Sequence, residues 1–97
     1  MDKRAKALSR LYEEVKAQVK VLVDQADPEG LLGMGGPLDE YDDAVTELTR
    51  HVLKYEPVDQ NAIEQWFGSV YGAAPAGADA LVAELERLRV EAQNRRP

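Results

Sequence analysis

Cysteine is absent from the chain of 97 residues, so disulfide bridges, thiolate nucleophiles and Cys-type zinc sites are excluded. Histidine occurs once, as His51, and serine twice, as Ser9 and Ser69. Each falls inside a helical pattern, and no nucleophile–base set comes into view, so no catalytic residues are expected. Long apolar runs are missing too. Val21-Leu22-Val23 is typical, whereas a membrane span needs roughly 18 apolar residues. Positive charge is scarce in the middle of the chain: residues 21–64 hold two basic and eleven acidic side chains, a net −9. A nucleic-acid partner requires a basic surface that displaces counterions from phosphates, so neither nucleic acid nor membrane is expected as a partner. With 44% apolar and 31% charged residues, the composition is that of a folded globular chain, and a cytoplasmic location is the expectation. Its length suits one domain, residues 1–97.

What is present reads as helix. Leu8, Leu11, Tyr12, Val15, Val19, Leu22, Val23 and Ala26 recur by threes and fours, which predicts an amphipathic helix over 3–26. It ends near Asp27, because a residue before proline is pushed out of the α region, and Asp27 is placed to cap a short turn. Tyr41, Val45, Leu48, Val52 and Tyr55 predict a second helix over 40–55, with Asp39 or Asp42 as its N-cap. A third, over 60–71, has Asp59 as N-cap, Ile63, Trp66, Phe67 and Val70 as its buried face and Gly72 as its stop. Leu81, Val82, Leu85, Leu88 and Ala92 mark a fourth over 78–94. No strand pattern appears. The expected fold is all-α, a small bundle of four helices with a Gly/Asp-rich loop between the first two.

That loop is the distinctive stretch. Residues 27–43 contain Asp27, Glu29, Asp39, Glu40, Asp42 and Asp43 together with four glycines and two prolines. These acids, with Asp24, are candidates for a hard cation or an acid–base pair. The spacing opposes a calcium loop: aligning Gly30 with the invariant loop glycine puts Gln25 at the first ligand position and Gly36 where a bidentate Glu belongs. Helix capping accounts for acids at these positions without a metal, so neither metal nor cofactor is expected. Gly33-Met34-Gly35-Gly36 lacks the lysine of a phosphate loop, and no strand precedes it. His51 lies one turn from Glu47 and from Tyr55 on the edge of the apolar stripe, a boundary position. Tyr55, Trp66, Phe67 and Tyr71 have the spacing of core anchors; an exposed Trp66 would instead mark an interface.

The order of these features resembles a known group. Asp27-Pro28-x-Gly30-Leu31 closes the first helix, Gly36-Pro37-x-Asp39-Glu40-Tyr41-Asp42 opens the second, and Ala62-Ile63-x-x-Trp66-Phe67 lies in the third. This is similar to the YugE-like family of short bacterial all-helical proteins of unknown function. The resemblance covers about residues 8–92, with Ala26 and Ala44 departing from it, and implies a helical architecture and no enzyme activity.

The expected role is therefore a small non-catalytic interaction or regulatory protein with a protein partner. Its expected partner-binding surface is Asp27, Glu29, Asp39, Glu40, Tyr41 and Asp42. One specific form is an acidic toxin-neutralising protein, an immunity protein or antitoxin against a basic nuclease. The competing class is a small-ligand or metal-binding protein using the 27–43 loop, with Asp27, Asp39 and Asp42 converging on one cavity. The chain is expected to be a monomer, or a homodimer through residual apolar surface such as Val21 and Val90.

Overall fold

A computed structural model describes residues 3–27, 29–30, 35 and 41–96. Four helices follow one another: α1 (Lys3–Ala26), α2 (Asp42–Val52), α3 (Gln60–Tyr71) and α4 (Ala78–Arg95). No strand occurs among the described residues, and the fold is the expected small all-α bundle. No helix among them is long and apolar enough to cross a membrane.

The core follows from helical periodicity. Leu11, Val15, Val19 and Val23, one per turn, bury the inner edge of α1. They meet Val45, Leu48 and Val52 of α2, and Leu81, Leu85, Leu88 and Ala92 of α4, in a single apolar cluster. Thr49 lies in the same interior; its Oγ1 donates to the Val45 carbonyl at 2.7 Å, which satisfies an otherwise costly buried hydroxyl. α1 rests against both α2 and α4, while α3 leans chiefly on α4 through Ile63 and Phe67. Leu8 and Ala26, at the two ends of the predicted stripe, are exposed. Leu8 lies a turn beyond Leu11, the first buried residue, and so has little to pack on.

The start and stop signals of α3 operate as expected, although Val70, expected on its buried face, is exposed. The Asp59 side chain accepts from the Ala62 N–H at 3.2 Å, and Gly72 takes the left-handed conformation that stops the helix, with φ 87°. α2 is shorter than expected at both ends. Tyr41, rather than Asp39 or Asp42, occupies the N-cap position, with no side-chain cap bond; Asp42 is the first helical residue. Asp39 lies outside the described residues. At the other end Val52 is the last helical residue, and Tyr55, expected on the buried face, is 72% exposed.

Side chains of α4 meet the chain where α2 stops. Arg89 donates to the Tyr55 carbonyl at 3.0 Å, Gln93 donates to the same oxygen, and Arg96 donates to the Leu53 carbonyl and lies over the Tyr55 ring. Arg89 and Arg96 thus satisfy carbonyls just past the negative end of the α2 dipole, where Pro57 has no N–H to offer the Leu53 carbonyl and the helix cannot run on. Glu86 completes the clamp. It accepts from the Val58 N–H at 2.9 Å and pairs with the buried Arg89.

Candidate functional site

The α1–α2 connection is built around one tyrosine. Asp27 ends α1: its N–H still bonds the Val23 carbonyl at 2.8 Å, but its φ is 42°, left-handed backbone that few residues other than glycine adopt. Aspartate is among the few that tolerate it. Its carbonyl accepts from the Gly30 N–H at 2.8 Å, closing a tight turn in which Gly30, at φ 69°, supplies the second left-handed step. The Tyr41 hydroxyl donates to Asp27 Oδ1 at 2.7 Å and accepts from the Glu29 N–H at 3.0 Å. Both ends of the connection are thus tied through one phenol.

The Tyr41 ring is wholly buried at 0% exposure and meets Tyr71 edge-on, with centroids 6.1 Å apart. Tyr71 in turn packs on Phe67 at 5.4 Å and on Trp66 at 6.2 Å. Trp66 is half-buried against the core rather than a freely exposed anchor. Tyr41 therefore leaves the expected partner-binding surface. Its ring is committed to the aromatic cluster and its hydroxyl to Asp27 and Glu29, because its backbone leads straight into α2 over the core.

The remaining residues of that surface fall into two groups. Asp27 and Glu29 are half-buried beside the tyrosine, while Asp42, with Asp43, stands exposed in the first turn of α2. Two acids there suit the positive end of the helix. Asp39 and Glu40 lie outside the described residues. Glu29 Oε1 is shielded from solvent and has no hydrogen-bond partner, and burial pushes its carboxyl above the ordinary range. Asp24 pairs with Lys20 at 2.9 Å through one oxygen, while its Oδ1 is buried and unpartnered.

No group of three His, Cys, Asp or Glu among the described residues is arranged to hold a metal ion. A groove of about 390 Å³ runs between α1 and α2, lined by Lys16 and Lys20 on one wall and Asp42, Asp43 and Thr46 on the other. It takes in Asp42 but neither Asp27 nor Tyr41, so the convergence that a pocket in the connection requires is absent among these residues. His51 is half-buried in the last turn of α2; desolvation and the nearby Lys54 hold its imidazole below its ordinary value.

The clamp of Glu86 and Arg89 is missed by sequence reasoning. Its signal is an arginine on the apolar stripe of α4, between Leu85, Leu88 and Ala92, with an acid three residues before it. Arg89 holds the Glu86 carboxyl down at about 2, helped by the Val58 N–H. No protein-family model, curated protein or solved structure matches the chain.

Proposed function

We propose that this chain is a small cytoplasmic interaction protein without catalytic activity, which meets a basic protein partner through the acidic rim of the α1–α2 connection. One observation carries the reading. Asp42 and Asp43 project from the first turn of α2, exposed and without a capping bond, directly beside a connection pinned by Tyr41. Charges held on a rigid base lose little freedom on binding, and a net −9 over residues 21–64 steers a cationic surface toward them.

The test is capture of partners on the immobilised chain at low and high salt, beside a chain carrying Asp39→Lys and Asp42→Lys. Retention is expected to fall with salt and with the substitutions, because rim charges act through screened electrostatics. A substituted chain that keeps its helical circular dichroism and all its partners would sink the proposal.

A further inference from the structure

α1, α2 and α4 each pack on the other two, so they close a three-helix body without help from α3. α3 lies against that body chiefly through α4. It is also the least buried element: α1, α2 and α4 bury four, five and six residues, whereas α3 buries only Ile63 and Phe67. Trp66 and Tyr71 add half-buried rings at its edge. Helices in folded proteins draw most of their stability from such packing, so α3 has the smallest hold on the fold.

Its local chemistry adds little. Gly68 sits inside the helix, where glycine is much poorer than alanine. A Cβ there would meet nothing within 4 Å, so packing does not call for a glycine. No acid stands in the first turn and no base in the last, which leaves the Asp59 cap as the support of its N-terminal end. Glu64, its one charged residue, accepts from Gln60 within the helix, and Gln60 also donates to exposed Asp79 of α4. An isolated helix of twelve residues is marginal in water. The chain on either side is better held. Val58 packs half-buried on the core with its N–H bonded to Glu86, and beyond the exposed Gly72, Ala73 and Ala74 the ring of Pro75 is buried.

We infer that α3 is a strap: between the fixed points at Val58 and Pro75 it comes away from the three-helix body and unwinds as one unit, while the body stays folded. Opening withdraws Ile63 and Phe67 from the core and takes Tyr71 off the Tyr41 ring. The phenol that ties the α1–α2 connection thereby loses its aromatic cover, so the strap and the connection are linked through one ring contact. The chain gains a second, partly folded state whose free energy lies below that of global unfolding. This inference does not rest on the acidic rim or on any partner.

Native-state hydrogen exchange on the full chain, followed amide by amide in rising urea below the melt, tests this. Where closing outpaces exchange, the inner amides of α3 are expected to share one protection factor, at least about tenfold below the best protected amides of the body. Their dependence on urea should also be shallower, because opening the strap exposes less surface than global unfolding. Val19→Ala separates the two openings, since Val19 belongs to α1, which packs on α2 and α4. That change weakens the body whether the strap is on or off. Body amides should therefore exchange about tenfold faster or more, while α3 amides keep their rate. Gly68→Ala should slow the inner α3 amides together, by about fivefold. Should Val19→Ala fail to fold, the urea slopes of the unsubstituted chain decide the matter alone. α3 amides that match the body in protection and slope, that quicken with it in Val19→Ala, or that respond to Gly68→Ala only beside residue 68 would each overturn the inference.

Discussion

Removing one oxygen atom at Tyr41 should be felt at both ends of the α1–α2 connection. Tyr41→Phe keeps the buried ring but deletes the donor to Asp27 and the acceptor for the Glu29 N–H. A loss of about 1–2 kcal/mol is expected, a fall in melting temperature on the order of 5–10 °C. Asp27 separates two effects in the same assay. Asp27→Asn keeps an oxygen acceptor and tolerates a φ of 42°, so it should cost less than Asp27→Ala, which loses the acceptor and strains the backbone. Glu29 has the opposite sign. Its folded carboxyl is raised above 4.5, so its charge opposes folding at neutral pH and that opposition fades as pH falls through the raised value. Glu29→Gln is therefore expected to stabilise the chain slightly at pH 7, by less than about 1 kcal/mol, with little change at pH 4. Urea melts at the two pH values check this.

At the scale of elements, α4 fastens the segment in which α2 stops. Arg89 and Arg96 hold carbonyls of the segment after Val52, and Glu86 holds the Val58 N–H. The Glu86 carboxyl is lowered from 4.5 to about 2 in the fold. Its contribution is thus complete above pH 4.5 and is lost as pH falls from there toward 2. Glu86→Gln should flatten the acid limb of the stability curve over that window, and chemical denaturation across pH 2–6 would show it. The side chain is about one-third exposed, so solvent screening keeps the effect well below what the shift alone suggests. Asp59 at the start of α3 offers a simpler case. Asp59→Ala removes the bond from the Ala62 N–H and is expected to cost about 1 kcal/mol in thermal melts.

Across the whole molecule, burial runs along α1 from Leu11 to Val23 and fades at the helix ends. Val19→Ala is accordingly expected to cost about 2 kcal/mol, whereas Leu8→Ala should stay within about 0.5 kcal/mol by the same melts. Periodicity alone could not separate these two positions, since both sit on one stripe; what differs is the reach of α2 and α4. The same division explains what was legible elsewhere. The bounds of α1 and α3, the Asp59 cap and the Gly72 stop were readable because each rests on local chemistry within a few residues. The exposure of Tyr55 was not, since the side chains that hold its segment, Arg89 and Arg96, lie more than thirty residues away in the chain. Tyr41 was noticed as part of an acidic surface, and its burial depended on Tyr71 and Asp27, both distant in sequence. Among the described residues of the candidate surface, Asp42 stands exposed where helix electrostatics favours an acid, Asp27 and Glu29 are half-buried, and Tyr41 is buried.

The phenol that joins Asp27 and Glu29 to the start of α2 also bears on how new sequence is accommodated. It joins residues fourteen positions apart, Asp27 and Tyr41, and fastens the stem of the connection without a covalent link. Once a stem is fastened, lengthening what lies between its ends adds only closure entropy, about 0.6 kcal/mol for each doubling. Gly35, exposed and at φ 87°, lies between these ends. A short Gly/Ser insertion after Gly35 should leave the melting curve nearly unchanged, while the same insertion in a Tyr41→Phe background should destabilise further. On this basis Gly35 is a natural point at which to lengthen the connection while the Tyr41 bonds hold its stem.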